Sequence, residues 1–366
     1  MPKIIEKPVA VNVEVLGLDV HQGKTVWCRL DRRGHKVASG SVESTRACLE
    51  QFLDEVVGRR RTHVALEACG GSLWVYDLLV ERYGRERVHL AHARHVQVIA
   101  RSTRKNDLSD AYWLAHLTKQ GRLPEAWVPV GLWRDLRLVS RERRAASKRH
   151  SQGVNRVRAQ LRQMGLRLPT TDYDTKRASA WLDRVVEEAP DEVALALRLG
   201  RERIEAAKRE VAIWTERLDA ISADLPQIDL LEKVLPGTGR ILAATVLAET
   251  GPVERFQSPK GLARYAGLTP SDRSTGGRVI HGRITREGSG DLRWALSEIV
   301  IHCLSCKRGR GLAVGNWVRA RYRRTDIKAK VKVAAARKMA ETVWRAFHLG
   351  EDFDVRKPFG GGEAAA

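Results

Sequence analysis

An alternating apolar run near the start of the chain places one acidic residue inside a predicted strand. The run covers residues 11–20, VNVEVLGLDV, and carries Asp19 near its end. Its period of two is that of a strand with one buried face. Burying an ionised carboxylate forfeits its hydration, so such a residue acquires a salt bridge, a raised pKa or a bound cation. The run therefore predicts a buried strand in which Asp19 has a partner or a function.

Three further acidic residues follow in comparable positions. Glu67 ends a second short apolar run, just before a pair of glycines, and Asp107 and Asp110 lie at the start of a predicted helix. Residues three apart on a helix share a face, so the two Asp side chains project together. Taken singly, each acid is an ordinary salt-bridge residue, and Asn106 or Asp107 is a good helix cap. The four together favour a metal site.

The segments between these acids follow the order of a ribonuclease H-like domain. Three strands come first, and helices then alternate with strands; the predicted elements after the Asp19 strand are strands 25–30 and 36–42, helix 44–57, the Glu67 strand, helix 72–83, strand 87–91 and a further helix. In that topology the first and fourth strands and a late helix meet at one sheet edge. Carboxylates gathered there suit Mg²⁺, and two ions would clamp the attacking and leaving oxygens of a phosphodiester.

The net charge indicates a polyanionic partner. The 366 residues contain 65 Lys and Arg against 44 Asp and Glu, a formal net charge of +21. Lys and Arg contacts with phosphates release counterions and supply most non-specific affinity for nucleic acid. An anionic membrane is the alternative, but we expect neither a membrane-spanning segment nor a signal peptide. Five cysteines, an odd number without framework spacing, predict a reducing cytoplasm.

The middle of the chain is helical and strongly basic. Residues 132–168 contain eleven Lys and Arg against two acids, and apolar residues three and four apart along their second half predict a heptad seam. A second seam runs from Ile204 to Ile221, so the two helices form an antiparallel hairpin or dimerise between chains. We predict that the basic face contacts nucleic acid, against the alternative of a solvated helix surface. The predicted contacts are Arg141, Arg143, Arg144, Lys148, Arg149 and Arg156.

Two glycine-containing stretches farther along suggest phosphate contacts. The turn 236–239, PGTG, separates two predicted helices as in a helix-hairpin-helix, in which free amides at Gly237 and Gly239 grip a phosphate. Residues 270–277 are predicted as a flexible loop, followed by a strand over 278–284. Hydroxyls near Arg278, Arg283 and Arg286 suit phosphate chemistry. A Ser/Thr-rich turn that bonds its own backbone is the simpler interpretation of the residues alone.

The predicted fold class is thus α/β plus a mostly α remainder. A basic amphipathic helical stretch over 316–349, which Gly350 ends, closes the C-terminal region. The chain divides into a flexible arm at 1–10, a catalytic domain at 11–125, a basic coiled-coil region at 126–225, a C-terminal domain at 226–350 and a disordered tail at 351–366.

The motifs in their order resemble the DEDD transposases of the insertion-sequence "one-ten" family. The resemblance covers nearly the whole chain and is carried by GLDVHQ, ALEACGG, KNDLSDA, LPGTG, YAGLTPSDRSTGG and GRITREGSGDLR. It implies a RuvC-like domain, a coiled-coil middle and a C-terminal domain bearing a catalytic serine. Carried over by motif, Asp19, Glu67, Asp107 and Asp110 become the metal-binding carboxylates, with Mg²⁺ in a two-metal site and Mn²⁺ as a substitute. Ser274 becomes the nucleophile of a covalent phosphoserine link to DNA.

The resemblance also implies partners. These are donor DNA, target DNA and a structured non-coding guide RNA, the bridge RNA, which pairs with both. Family members assemble as a dimer of dimers in which the serine of one subunit meets the acidic domain of another. This sequence has Ser274-Thr275 where many relatives have two serines, and Ser271 lies close by as an alternative nucleophile. We expect a bacterial cytoplasmic, nucleoid-associated protein.

Two other functions remain open from the sequence. One is a RuvC-like endonuclease that hydrolyses branched DNA with metal-bound water. The other is a non-catalytic basic protein that packages RNA or DNA, in which the four acids form only structural salt bridges.

Overall fold

The chain folds into two compact units, which are described separately. The computed structural model describes residues 13–57, 61–92, 95–96, 107–275, 278–307 and 309–359. The first unit extends to Val128 and the second begins at Pro129. The predicted arm at 1–10 lies outside the described residues.

The first unit is built on a five-stranded mixed sheet. Its strands are β1 (Glu14–Val20), β2 (Lys24–Leu30), β3 (Lys36–Glu43), β4 (Thr62–Glu67) and β5 (Val88–Ala91), in the order β3-β2-β1-β4-β5. β1, β2 and β3 are antiparallel, whereas β4 is parallel to both β1 and β5. The unit is thus a mixed α/β sheet domain ahead of a mostly helical remainder, consistent with a RuvC-like DEDD domain.

Three helices cover the two faces of this sheet. They are α1 (Arg46–Phe52), which continues as a π-helix over Leu53–Val57, α2 (Ser72–Tyr83) and α3 (Asp107–Lys119). Leu16, Leu18 and Leu66 pack with α1 and α2 on one face. Val15 and Cys28 pack with Ala111 and Ala115 of α3 on the other. β1 is buried on both faces because helices cover both sides of the sheet.

Gly17 permits a close approach between β1 and α3. A Cβ added at Gly17 would overlap the carbonyl oxygen of Ala111 and lie 2.8 Å from the amide nitrogen of Ala115. Both neighbours are backbone atoms inside a helix, so neither can rotate away as a side chain would. Only glycine therefore lets the helix lie this close to the strand.

We predict that Gly17→Ala will destabilise the first unit by about 2–4 kcal/mol, because the added methyl overpacks a rigid contact. Urea unfolding followed by circular dichroism would measure the change. Gly23→Ala is the matched control, since nothing lies within 4 Å of a Cβ at that position. Equal stability of the two variants would contradict the close approach.

The second unit begins with a pair of long helices. α4 (Leu132–Gln163) and α6 (Asp191–Ser222) pack along each other within one chain, and a shorter helix, α5 (Lys176–Glu188), lies between them in sequence. Gly153 lies against Ile204, and Gly200 lies against Val157, so the two helices are antiparallel. Within one chain, the structure thus forms the predicted antiparallel hairpin. The segment that joins the two helices contains α5, whose Leu182 and Val185 pack into the same core cluster.

The rest of the second unit is a larger helical core with one β-hairpin. Its helices are α7 (Pro226–Val234), α8 (Arg240–Thr250), α9 (Pro259–Tyr265), α10 (Gly290–Ser305), α11 (Gly309–Tyr322) and α12 (Lys328–Leu349), and its strands are β6 (Pro270–Thr275) and β7 (Arg278–Ile284). Leu136 and Val139 of α4 belong to this core, and Ser140 Oγ lies 2.9 Å from Thr245 Oγ1 of α8. The middle and C-terminal regions, predicted as separate domains, therefore share one compact unit.

Three C-terminal predictions need correction. Residues 270–275 of the flexible loop predicted over 270–277 form strand β6, which pairs with β7, and residues 276–277 lie outside the described part. The helical stretch predicted over 316–349 is divided into α11 and α12 by a turn, and α12 does end at Gly350. Residues 352–359 of the predicted disordered tail are ordered, because Phe353, Val355 and Phe359 are buried in the core. Residues 360–366 lie outside the described part.

No helix within the described residues combines the length and the apolar character that crossing a bilayer requires.

Candidate active site and nucleic-acid contacts

The pairing of β1 with β4 brings two of the predicted acids to one edge of the sheet. Leu18 lies opposite Leu66 in this parallel pair. Asp19 and Glu67 each follow that pair by one residue, at the carboxyl ends of the two strands. Because side chains alternate along a strand, both carboxylates point to the face opposite Leu18 and Leu66. That face is the one covered by α3.

The direction of α3 brings Asp107 and Asp110 to the same end of the sheet. Ala111 lies against Gly17, whereas the Lys119 ammonium at the far end of the helix donates to the Val13 carbonyl oxygen at 2.7 Å. α3 therefore runs opposite to β1, and its first turn lies toward the strand end that carries Asp19. Leu114, one turn after Asp110, is buried in the same cluster as Ala65 of β4. Asp110 consequently lies on the face of α3 that is turned toward the sheet.

Asp19 is held in place by its neighbours. Its side chain is only 11% exposed, and the Oδ2 atom lies 3.0 Å from Nε2 of His21. The Cys69 thiol contacts the Val20 carbonyl oxygen at 3.4 Å, which ties the end of β1 to the segment after Glu67. Glu67 and Asp110 are half-buried. A hydrogen-bonded carboxylate at a partly open sheet edge can accept a cation without a large rearrangement.

The donor set at this edge fits a hard divalent cation. Asp19, Glu67 and Asp110 offer carboxylate oxygens, which are the ligands that Mg²⁺ and Mn²⁺ prefer. Within the described residues, no three His, Cys, Asp or Glu side chains are already close enough to hold one ion. The side chain of Asp107 lies outside that description. Substrate phosphate oxygens and water commonly complete the shell of such an ion.

The predicted serine lies near the tip of the β6–β7 hairpin. Ser274 pairs with Val279, and Thr275 with Arg278, the last pair before the two-residue connection. Ser271 lies at the base of the hairpin, where its hydroxyl donates to the Arg283 carbonyl oxygen at 3.1 Å. The side chains of Ser274 and Arg278 lie outside the described residues.

Two further arginines lie at the end of β7 and just after it. The side chains of Arg283 and Arg286 are exposed. Arg286 has a φ of +54°, in the left-handed region that few residues other than glycine occupy. Its amide donates to the Gly267 carbonyl oxygen at 3.2 Å, which anchors the end of β7 to the segment before β6.

Six cations of α4 were predicted to contact nucleic acid, and four of them form hydrogen bonds or ion pairs with other residues of the second unit. Arg141 makes two hydrogen bonds, of 2.7 and 3.0 Å, to the carboxylate of Glu249, which is fully buried. That carboxylate raises the pKa of Arg141. The other three partners are Thr215 for Arg143, Asp291 for Arg144 and Glu210 for Arg149. Burial lowers the pKa of Arg143. Lys148 and Arg156 are exposed.

The predicted phosphate-binding turn joins α7 to α8. Gly237 has a φ of +71°, and its carbonyl oxygen accepts a hydrogen bond from Nδ1 of His302 at 2.9 Å. Gly239 is the N-cap of α8 and provides no side-chain cap. The sequence prediction missed Thr238, which is 8% exposed and whose Oγ1 has no hydrogen-bond partner within the described residues. Thr238 lines an open depression together with Glu232, Lys233 and both glycines.

Two family models match this chain. Residues 16–165 match the model described as a transposase of the DEDD type of IS110 elements, and residues 230–314 match the model described as the transposase IS116/IS110/IS902 family. The first match spans the acidic sheet edge, and the second spans the α7–α8 turn and the β6–β7 hairpin.

Curated relatives agree with these matches. The chain is similar to the putative transposase y4pF/y4sB of Sinorhizobium fredii, with 31% identity over 80% of this chain and 74% of that protein. It is also similar to the transposase for insertion sequence element IS1111A of Coxiella burnetii, with 23% identity over 91% and 89% of the two chains. A probable family 20 transposase of Pseudomonas aeruginosa shows 25% identity over 91% and 96%.

The sheet domain with its acidic edge, followed by a helical unit, defines a DNA-processing enzyme of the DEDD class. The matches are more specific than that class. The chain belongs to the IS110 family of DEDD transposases, which cut and rejoin DNA. Domains of this type typically bind a divalent metal ion.

Proposed function

We propose that this transposase cuts and rejoins DNA with a Mg²⁺-binding acidic quartet and a serine nucleophile. Asp19, Glu67, Asp107 and Asp110 would hold the metal, and Ser274 would attack the scissile phosphate. The observation that carries this proposal is the parallel pairing of β1 with β4. This pairing brings Asp19 and Glu67 to one sheet edge, and the first turn of α3 lies at the same edge.

The serine step conserves the energy of the phosphodiester bond. Ser274 Oγ forms a bond to phosphorus while the bond from phosphorus to one sugar oxygen breaks. The serine proton leaves to a base, and the departing sugar oxygen takes up a proton. The number of phosphate ester bonds is unchanged, so the reverse reaction with a new DNA end needs no ATP. When bound, the metal would supply Lewis acidity at the phosphate, and the four carboxylates would position it.

Groups of the second unit would orient the DNA backbone. Gly237 and Gly239 leave backbone amides at the N-terminus of α8, a position that suits a phosphate oxygen. The exposed cations at Lys148, Arg156, Arg283 and Arg286, together with Arg278, would neutralise neighbouring phosphates. Such contacts fix the register of DNA without reading its sequence.

The assembly and the guide are proposed from the family resemblance. The acids lie in the first unit and Ser274 in the second. In a dimer of dimers, Ser274 of one subunit would serve the acidic edge of another. A structured non-coding RNA would select donor and target DNA by pairing with both. The natural flanks of the gene provide a direct check, because they should encode an RNA with two loops complementary to the element junction and its target.

We predict that Ser274→Ala will abolish the covalent protein–DNA adduct. The test incubates the protein with labelled DNA from the natural flanks of the gene and RNA transcribed from the adjoining non-coding segment. A denaturing gel then separates free DNA from DNA attached to protein. Because Ser274 is the proposed nucleophile, its loss should completely remove the band of DNA attached to protein.

The control for this test is Ser271→Ala. Its hydroxyl is bonded at the base of the hairpin, so the variant should retain the adduct. Loss of the adduct from the Ser271 variant alone would move the nucleophile to that residue. Cleavage without any adduct in the wild-type protein would instead indicate hydrolysis of branched DNA by a RuvC-like nuclease. Binding without cleavage in all variants would indicate a packaging protein.

A further inference from the structure

The turn between α11 and α12 carries a concentrated group of exposed cations. This group, called here the α11–α12 corner, consists of Arg321, Arg323, Arg324, Lys328, Lys330 and Lys332, all of which are exposed. Asp326 is the only acid within residues 321–332, so the six cations and one acid give a local formal charge of +5. In the described part of the chain, none of the six forms an ion pair with a carboxylate.

These cations lie where they oppose the stability of α12. The first turn of this 22-residue helix contains no acidic residue, and the N-cap Ile327 provides no side-chain hydrogen bond. The N-terminus of a helix carries partial positive charge, so lysines there are repelled. Lys328 and Lys332 are also a like-charge pair four residues apart, which is destabilising. A bound anion would offset both repulsions, so α12 would become more stable when the anion binds.

The corner also has an ordered framework. The guanidinium of Arg321 lies 3.6 Å from the ring centroid of Trp317, which holds the charged group against an aromatic face. The hydroxyl of Thr325 accepts a hydrogen bond from the Ile327 amide at 3.2 Å and shapes the turn before α12. Val331 and Ala335 are buried in the core and anchor the start of α12. The cations therefore project from a built turn and not from a loose segment.

The corner contrasts with the basic face of α4. On α4, Arg141, Arg144 and Arg149 are neutralised by carboxylates of the same unit. Such arginines must break an existing ion pair before they can bind a phosphate. The corner cations have no ion pair to break among the described residues, so a phosphate would displace only solvent from them. The surface available to a polyanion thus lies at the corner more than along α4.

We propose that the α11–α12 corner is a docking surface for the phosphodiester backbone of a DNA duplex, the substrate that transposases of this family cut and rejoin. Phosphates would lie against Lys328, Lys330 and Lys332 and at the free N-terminal amides of α12, with Arg321, Arg323 and Arg324 along the neighbouring strand of the duplex. These contacts are independent of base sequence, so the corner adds affinity and register, and selection of the site is left to other elements.

The test compares two triple variants of the full-length protein. The first carries Lys328→Ala, Lys330→Ala and Lys332→Ala. The matched control carries Arg198→Ala, Arg203→Ala and Arg209→Ala on α6, where three exposed arginines alternate with Glu202, Glu205 and Glu210. Both variants lose three positive charges, and alanine favours helix at all six positions. Affinity is measured between about 50 and 300 mM salt for a mixed-sequence DNA duplex and an RNA duplex of equal length.

We expect the corner variant to bind about 10- to 100-fold more weakly at about 100 mM salt, and its slope of log affinity against log salt to fall by about 2–3. The control should bind within about twofold of the wild-type protein. Loss of affinity for the DNA duplex, with or without a loss for the RNA duplex, supports the docking surface. Loss for the RNA duplex alone would overturn it and assign the corner to RNA. Equal affinities and slopes for the corner variant, the control and the wild-type protein would overturn the proposal.

Two further measurements separate folding and catalysis from binding. Variants with glutamine in place of the three lysines should reproduce the loss, because glutamine keeps length and helix propensity but not charge. Thermal unfolding should show α12 intact in both triple variants. The corner is tested by affinity, whereas the proposed chemistry is tested by cleavage and adduct formation, so failure of either proposal leaves the other standing.

Discussion

Asp19→Asn is expected to lower the rate of DNA strand cleavage at least about a thousand-fold while changing nucleic-acid affinity less than about twofold. The substitution keeps the shape of the side chain but removes the charge that attracts a divalent cation. Metal ions contribute several kcal/mol to transition-state stabilisation at phosphates, and each ~1.4 kcal/mol corresponds to tenfold in rate. Cleavage of labelled DNA and filter binding measure the two effects separately.

The control for this prediction is Asp77→Asn. Asp77 is exposed on α2, which covers the opposite face of the same sheet, so its loss changes the net charge equally without touching the acidic edge. Thermal unfolding gives a readout without DNA, because Mg²⁺ or Mn²⁺ should raise the melting temperature of the wild-type protein and of the Asp77 variant but not of the Asp19 variant. A wild-type rate of DNA strand cleavage by Asp19→Asn would contradict the metal-site proposal.

Glu249→Ala is expected to destabilise the second unit by about 3–5 kcal/mol, the usual cost of leaving a buried ion pair without one partner. The Glu249 carboxylate is fully buried and bonded twice by Arg141, and Arg137 lies 3.6 Å away. Removing it takes the neutralising carboxylate from Arg137, whose side chain is 12% exposed and is otherwise bonded to the uncharged carbonyl oxygens of Ala248 and Glu249. Arg141 is more exposed and can turn to water. Urea unfolding followed by tryptophan fluorescence measures the change.

Glu254→Ala provides the comparison, since Glu254 is exposed and only five residues away. Exposed charges of this kind contribute about 0.5 kcal/mol or less. Replacing Glu249 and Arg141 together by leucine should recover part of the loss, because a buried ion pair can be exchanged for apolar packing. A loss below about 1 kcal/mol in the single variant would show that water reaches the site.

The strands of the first unit were predictable because their signal is local. The alternation through Asp19 and the short run before Glu67 each describe a segment whose burial follows from its own composition. The predicted order of elements along the first unit, three strands followed by alternating helices and strands, agrees with the observed order. The sequence did not predict that Gly17 permits the close approach of α3 to β1. The need for glycine arises from the backbone of α3, almost a hundred residues away.

Errors concentrated in the second unit, where long-range packing decides local structure. The helix α5 was missed although Ala178, Leu182 and Val185 recur at helical spacing and Thr175 caps it. The strand β6 contains Pro270, Ser271 and Asp272, which are poor strand formers, and it exists because β7 pairs with it. The C-terminal tail is ordered by three buried apolar side chains spread over seven residues, too sparse a pattern to predict from the segment alone.

Sequence by itself determined the sheet elements, the four acids, the excess of positive charge and the family resemblance, since all of these are properties of short segments or of composition. Tertiary structure alone decided which cations are available. Arg141 and Lys328 look alike in the sequence, but a distant glutamate neutralises the first, and no carboxylate among the described residues reaches the second. Electrostatic availability depends on distances across the fold, and those distances come into existence only when the helices pack.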